Sequence, residues 1–394
     1  MSPELAALRD EALANVSCLD WANGQGWKLT RVGTEFVGPC PKCGGTDRFS
    51  INPQKNVWLC RICGVGGDVI FLAQHMQGLF FAEACELITG RSSQQPVDPE
   101  NARRMAEERD AAERRRVAAE NKFREQARKD AHEVWEHALG MPMDMVAAYL
   151  GQVRGLAGGA IDFGVSNWHV GMPLRFIGNR PYWHNGKVLL RAPAQIAAIQ
   201  RADGRFGGIH QTYLDLSRPK GKAELPEIDG KALPTKKVLG VKKGGAIRLV
   251  TPSGCRRLVM GEGIETTLTA RAHAFEEETA YWAGVDLGNM AGKAARRASG
   301  GMQHDQPDMD DLECFIPPDW VEEFICIVDG DEPEKHTVEK ITRGMRRAKR
   351  LRAEARASNP DLPPLLTFMV PPSGAGTDLN SIAMSDMAEI HGDN

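Results

Sequence analysis

Four cysteines, spaced Cys40-x2-Cys43 and Cys60-x2-Cys63, have the type and separation to hold one metal ion. Each CxxC turn presents two thiolates, and two such turns complete a tetrahedron around zinc with no position left open. The expected centre is a structural zinc ribbon rather than a catalytic metal. Pro41, Gly44 and Gly45 at the first knuckle and Gly64 after the second supply the tight turns. The short segments Arg48-Phe-Ser-Ile and Asn56-Val-Trp-Leu lie between the knuckles. Arg48, Phe49, Trp58 and Arg61 thus interleave basic and aromatic groups, a composition suited to single-stranded bases. The same two rings would equally serve as the ribbon's own small core.

A second group is acidic. Gly261-Glu262-Gly263 follows directly on the apolar Leu258-Val-Met, and Glu265 stands about one helical turn later. Asp329 and Asp331 follow Phe324-Ile-Cys-Ile-Val, and Asp378 lies in Gly376-Thr-Asp-Leu-Asn380 after a Pro-Pro-Ser-Gly turn. Open parallel sheets bind ligands at the carboxyl ends of their strands, so Glu262, Asp329 and Asp331 should converge on one edge. Carboxylates gathered this way suit magnesium or manganese bridged to substrate phosphates. Glu265 reads equally well as a favourable charge at a helix N-terminus. By contrast, Met302-Gln-His-Asp-Gln-Pro-Asp-Met-Asp-Asp lacks the spacing and glycine of a calcium loop, and reads as an acidic surface insertion.

The elements that must position these groups are visible in the pattern. Residues 1–35 read as a helix and a strand-like Trp27-Lys-Leu-Thr-Arg, and residues 67–90 as helix ending at Gly90. From about Pro96 to Ala138 the chain is rich in Ala, Glu and Arg without internal Gly or Pro, which favours one long helix. Its apolar residues are too few for a continuous stripe, and its charges balance. It is expected to be a solvated spacer of roughly 60 Å. Val188–Pro193, Gln195–Gln200 and Gly208–Leu214 are strand-like, with a hairpin signal at Asp203-Gly204. From Arg257 onward, short apolar strands alternate with helices, which implies a small parallel sheet with helices on its faces.

Bulk properties narrow the class. A chain of 394 residues can hold two or three domains, and no stretch is long and apolar enough for a membrane helix. The net charge of −3 gives no global case for nucleic acid, so any basic surface must be local. Cys18, Cys85, Cys255, Cys314 and Cys326 fall at unrelated spacings. With an acidic amphipathic N-terminus in place of a signal peptide, they point to free thiols in the cytoplasm.

The acidic constellation resembles the Toprim domain shared by primases, topoisomerases and several nucleases. The matching residues are Gly261-Glu262-Gly263-Ile264-Glu265-Thr266, Val328-Asp329-Gly330-Asp331 and, more loosely, Gly376–Asn380. The first of these is similar to the form found in phage, plasmid and mobile-element primases. With the ribbon upstream, the resemblance covers about residues 35–90 and 185–385. Bacterial replicative primases usually carry a histidine at the second metal-ligand position, where Cys43 stands here. Between the two regions, Pro234–Leu249 resembles the lysine-bearing stretch of the primase core, and Ala192-Pro, Asp203–Arg205 and Gly208–Thr212 its preceding hairpin. The resemblance implies that Lys236, Lys237, Lys242 and Lys243 face nucleotide phosphates or template backbone. Lysine is suited to either as a compact point charge. Arg180 and Arg191 are weaker candidates, and His210 reads as a sheet residue.

The expected architecture is therefore α/β and multi-domain. Residues 1–90 form a zinc-ribbon domain, 91–139 a charged helical linker, 140–250 a mixed α+β basic subdomain, and 251–394 a Toprim domain with a small parallel sheet. The expected function is a DNA primase making short primers on single-stranded DNA from nucleoside triphosphates. Structural zinc would sit in the ribbon, which engages template through Arg48, Trp58 and Arg61. Magnesium or manganese would be held by Glu262, Asp329 and Asp331, with Asp378 assisting. Glu262 serves as ligand or as general base. A chain without GxxxxGK[ST] has no motor, so a helicase or replication protein would be separate. Two rivals stand beside this reading: a Toprim-type metal-dependent nuclease and a non-catalytic replication or DNA-binding factor. The lysine-rich segment favours the primase over the nuclease, and the intact Glu262 and Asp329-x-Asp331 argue against lost catalysis.

Overall fold

In the computed structural model, the described residues are 2–92, 99–140, 145, 147–156, 173–228, 230–273, 276, 278–297, 302–330, 334–371 and 378–392. They divide into two compact units, Met1–Asn121 and Lys122–Asn394. The division falls inside a single helix, Pro99–His137. No helix among the described residues is long and apolar enough to cross a membrane.

The first unit is built on a five-stranded antiparallel ribbon in sequential order. Its strands are β1 (Thr30–Val32), β2 (Glu35–Cys40), β3 (Gly44–Asn52), β4 (Val57–Cys60) and β5 (Val65–Gly67). Four helices surround it: α1 (Pro3–Asn15), α2 (Cys18–Gly24), α3 (Val69–Gln77) and α4 (Phe81–Thr89). Each of the first three opens on a polar cap, from Ser2, Ser17 and Asp68, whose side-chain oxygens accept orphan backbone N–H groups. Both α3 and α4 stop at left-handed glycines, Gly78 and Gly90, as Gly90 was expected to do.

The second unit holds two five-stranded sheets. The first runs β12-β9-β8-β7-β6, wholly antiparallel. Its strands are β6 (Leu139–Gly140), β7 (Leu174–His184), β8 (Lys187–Gln200), β9 (Phe206–Tyr213) and β12 (Lys236–Gly240), with a small hairpin of β10 (Glu227–Ile228) and β11 (Lys231–Ala232) before the last. Strand β8 is continuous through Pro193, where the sequence suggested two segments. The β9 ladder begins at Ala194, so that side of the sheet needs no N–H from Pro193. The expected hairpin at Asp203-Gly204 joins β8 to β9.

The second sheet runs β13-β15-β14-β18-β19. Its strands are β13 (Ile247–Val250), β14 (Arg257–Gly261), β15 (Thr279–Ala283), β18 (Glu323–Ile327) and β19 (Leu366–Val370). Four strands are parallel, and β13 alone runs antiparallel, against β15. Ile247–Val250, placed by sequence with the preceding subdomain, thus belongs to this sheet. The helix Glu334–Ser358 buries Ile341 and Ala348 against Leu258, Met260, Phe324 and Cys326. Ile264 and Leu268 of the helix Ile264–His273 share a core with Ile199 of the first sheet and Ile247 and Leu249 of β13.

Two expectations change. The long helix forms, but one face of its last turns is packed rather than solvated. Ala131 is fully buried, Arg175 lies 4.1 Å over the Trp135 ring, and His132 packs edge-on against Phe206. The acidic stretch after Met302 is in part a strand, β17 (Met302–Pro307), paired with β16 (Ala294–Arg296). Arg343 and Arg346 of the neighbouring helix tie its carbonyls down, and Asp311 is buried, accepting the Lys293 N–H at 2.6 Å.

Candidate functional site

In the ribbon, Cys40, Cys43, Cys60 and Cys63 converge as expected, with all four sulfurs within 4.8 Å of one another. The Cys40–Cys63 and Cys43–Cys60 sulfurs lie 3.9 and 3.5 Å apart. Tetrahedral thiolates about 2.3 Å from zinc stand roughly 3.8 Å apart, so the donor set fits the metal. The Cys63 N–H points at the Cys60 sulfur, 3.4 Å away, as a knuckle must to orient its ligand. Gly44 and Gly64 turn the chain after Cys43 and Cys63 at φ of 69° and 68°, a region costly for side chains.

Trp58 corrects the sequence reading. It was a candidate for base stacking, yet only 2% of it is exposed. Its ring lies against Phe49, Phe71 and His75, and its Nε1 donates to the Asp68 carbonyl at 3.1 Å. Phe49 is fully buried too, between Trp58 and Trp27. The rings belong to the core that the ribbon shares with its helices, beside Ile51, Ile70 and Leu72. Arg61 is exposed, while half-buried Arg48 donates to the Cys43 carbonyl at 3.2 Å and braces the knuckle.

In the second unit, the acidic residues fall as strand order dictates. Strands β14 and β18 are parallel neighbours in register from Arg257↔Glu323 to Met260↔Cys326. Glu262 and Asp329 therefore emerge on the same edge. The Thr266 hydroxyl, one turn into the helix after Glu262, donates to the Asp329 carboxylate at 3.2 Å and joins the two loops. Gly261 permits this tight strand-to-helix turn. A Cβ there would sit 2.8 Å from the Thr267 hydroxyl, which accepts the Gly261 N–H. Glu262, Asp329 and Asp378 line one cavity of about 260 Å³. Asp331 lies outside the described residues. Hard carboxylate oxygens are the donors that magnesium prefers, but among the described residues only the four cysteines are gathered closely enough to hold a metal as they stand.

Cations line the same cavity. Lys236 lines it, together with Lys220, Lys222 and Arg154, which the sequence reading missed. The other expected lysines are elsewhere. Lys237 lies 4.4 Å over the Tyr182 ring, Lys242 pairs with Asp286, and Lys243 pairs with Glu313. Arg180 donates to Gln211 at 2.7 Å.

Glu265, the residue left between two readings, is only 5% exposed. It accepts the Tyr149 hydroxyl at 2.7 Å and pairs with Lys222 and Lys236 at 3.4 Å each. Burial pushes its carboxyl up, but Lys236, Lys222, Arg154 and the Tyr149 hydroxyl outweigh that and hold it well below the usual range. Glu265 raises Lys236, whereas burial pulls Lys222 down. His210 lines the same cavity from β9. Burial lowers it to about 4, with Lys236 and Lys222 adding to that and Glu265 and Asp286 opposing it.

His210 sets an acid limit on stability. Its folded value lies below its ordinary 6.5, so between the two the unfolded chain binds a proton that the folded chain refuses. Stability should be complete above about pH 6.5 and fall by roughly 3 kcal/mol on approach to pH 4. Denaturant midpoints across that range should slope less in His210→Asn; equal slopes would remove His210 as the cause. Loss of the Glu265 pairing belongs to a separate, lower window, since its carboxyl protonates only well below 4.5.

Comparison with known proteins follows the same division of the chain. Residues 16–103 match the CHC2 zinc finger, and residues 125–249 match a domain of unknown function (DUF7146). The chain is 32% identical over 85 residues to a DNA primase of Halalkalibacterium halodurans, covering 21% of this chain and 14% of that one. It is 38% identical over 65 residues to a DNA primase of Thermotoga maritima, covering 16% and 12%. The matches thus span about one seventh or less of those relatives' length. The crystal structure of the Aquifex aeolicus primase (zinc-binding and RNA polymerase domains) aligns over all of this chain and 86% of its own, at 13% identity and a TM-score of 0.35. The four-thiol ribbon and these partial matches together make this chain similar to zinc-ribbon primases.

Proposed function

We propose that this chain is a DNA primase of mobile-element type, whose Toprim-like second sheet carries out nucleotidyl transfer on single-stranded DNA. One observation carries the reading: Glu262, Asp329 and Asp378 share a cavity with Lys222, Lys236 and Arg154. Carboxylates facing cations across one space suit a polyphosphate, with its metal on the acidic side and its bare oxygens on the basic side. Magnesium held by Glu262, Asp329, Asp378 and Asp331 would supply charge neutralisation for the transferring phosphoryl group. Glu262 and Asp329 fix where that charge is met, and Thr266 holds the Asp329 carboxylate in place. Lys236 would align the triphosphate. The ribbon would engage template through Arg61, with a separate helicase opening the duplex in the cytoplasm.

The test supplies full-length protein with labelled ribonucleotides, single-stranded template and magnesium, then resolves the products by size. Short template-dependent products support the reading. Template cleavage without incorporation would assign the same carboxylates to a nuclease. No reaction of either kind would favour a binding factor.

Lys237 and Lys243 stand outside the cavity, and Lys243 is engaged only in a surface ion pair. Such a pair contributes little, so the ammonium is available to a template phosphate. The double change Lys237→Met with Lys243→Met should weaken template binding and flatten its salt dependence by roughly 0.7 per charge lost. Its KM for triphosphates should not change. Fluorescence anisotropy at several salt concentrations checks this, and a KM effect without a binding effect would contradict it.

A further inference from the structure

A heavily partnered buried carboxylate of the second unit belongs to none of the acidic positions expected to hold metal. Glu265 is turned away from solvent, and its two oxygens are divided: Oε1 meets the Tyr149 hydroxyl and Lys222, Oε2 meets Lys236. These partners come from three places in the chain, a π-helical segment (Ala147–Val153), the loop after β9 and the start of β12. The carboxylate itself sits on the helix that begins two residues after Glu262. A buried charge is tolerated only when paired and hydrogen-bonded, and here the pairing overshoots. One carboxylate faces two ammonium groups and the nearby Arg154 guanidinium, so the cluster keeps a net positive charge toward the cavity. Arg154, 2% exposed, has no hydrogen-bond partner for its Nε and Nη1, and 6% exposed His210 has none for its Nδ1. All of these residues line the same space. Buried arginine donors without acceptors, beside two ammonium groups that share a single carboxylate, describe a wall of the cavity completed by an anion.

We infer that Glu265 is a positioning residue for that anion: it anchors Lys222 and Lys236 at fixed points on the cavity wall, so that their remaining N–H donors, with Arg154, receive the phosphates of a nucleoside triphosphate. The inference rests on the nucleotidyl-transfer reading of the cavity. Lysine is a flexible point charge, and two ammonium groups close together repel one another. The carboxylate between them removes that repulsion and defines where each stands. It touches the substrate only through them. Its removal should therefore affect capture of the triphosphate far more than the chemical step.

Glu265→Gln keeps the shape and an acceptor for Tyr149 while discarding the charge. The expected result is a KM for ATP raised at least about tenfold, the scale of lost charge-assisted hydrogen bonds, with kcat and the magnesium requirement changed little. Lys222→Met should raise KM similarly, and the double variant should be no worse than either alone, because each change breaks the same arrangement. Glu265→Asp should fall between wild type and Glu265→Gln. A purely structural Glu265 would instead lower Tm and kcat at unchanged KM. Calorimetric titration of the full chain with inorganic tripolyphosphate reads the site without catalysis. If the wild type makes no primers yet binds tripolyphosphate, and Glu265→Gln does not, the primase reading falls and the positioning role stands. If the wild type makes primers and Glu265→Gln keeps both its KM and its tripolyphosphate affinity, the positioning role is wrong and the primase reading stands. Should Glu265→Gln fail to fold, Glu265→Asp carries the test, and wild-type values there overturn the role. A wild type that neither binds tripolyphosphate nor makes primers overturns both.

Discussion

Asp329→Asn should abolish magnesium-dependent primer synthesis, lowering the rate by two to three orders of magnitude or more, while the protein stays folded and still binds template. The substitution is nearly isosteric, and the asparagine carbonyl can still accept the Thr266 hydroxyl that now meets Asp329 at 3.2 Å. Its loss is one negative charge at the edge where β14 and β18 end side by side. Removing one charged partner from a site built to balance developing phosphate charge costs about 3–4 kcal/mol of transition-state stabilisation, which sets the expected rate. Tm should hold within a few degrees, since relieving acidic crowding does not weaken the core beneath it. Gel-resolved products from labelled ribonucleotides, beside template anisotropy on the same preparation, check both halves. Wild-type primer synthesis in Asp329→Asn would sink the metal assignment.

That Glu262 and Asp329 emerge on one edge was legible before any coordinates, because strand-helix-strand connections favour parallel pairing, and parallel strands end on one edge. The alternation of short apolar strands with helices from Arg257 onward was likewise readable, and Ile264–His273, Thr279–Ala283 and Glu334–Ser358 follow it. Glu265 was not. Periodicity shows which face of a helix a residue occupies, but not that Tyr149, 116 residues earlier, and Lys222, 43 residues earlier, will fold over it. Lys222 lies in an irregular loop whose local pattern contains no signal of burial. Trp58 illustrates a different limit. A basic and aromatic strand has the same composition whether its rings face bases or their own sheet. Only the packing of the surrounding helices, which close over that face of the sheet, decides for the core. The long helix failed at one end for a related reason: Ala131 and Trp135 are too sparse to form a stripe, yet one short contact face is all the second unit requires.

Cys60→Ser should release the zinc and unfold the ribbon, leaving the second unit folded. Serine offers a shorter, protonated oxygen in place of a thiolate, so the tetrahedron loses a ligand and its affinity for metal together. Metal binding to structural four-thiolate sites contributes about 10–16 kcal/mol of apparent folding free energy, more than a small ribbon derives from its apolar core. Phe49, Ile51 and Trp58 are fully or nearly fully buried between the same strands that carry the cysteines. Loss of the knuckles therefore exposes them, and α1 to α4 lose the surface on which they pack. Among the described residues the second unit has three hydrophobic cores of its own. Two observations check this: about one zinc per chain in the wild type and none in Cys60→Ser by elemental analysis, and proteolysis that removes the first unit while a fragment beginning near Lys122 persists. A zinc-free wild type, or a Cys60→Ser protein that resists proteolysis throughout, would mean that the four thiols hold no structural metal. The same variant separates the two centres functionally. If the cavity around Asp329 works as proposed, the persisting unit should still bind tripolyphosphate after the ribbon is lost, because the carboxylates and lysines that line it all belong to that unit.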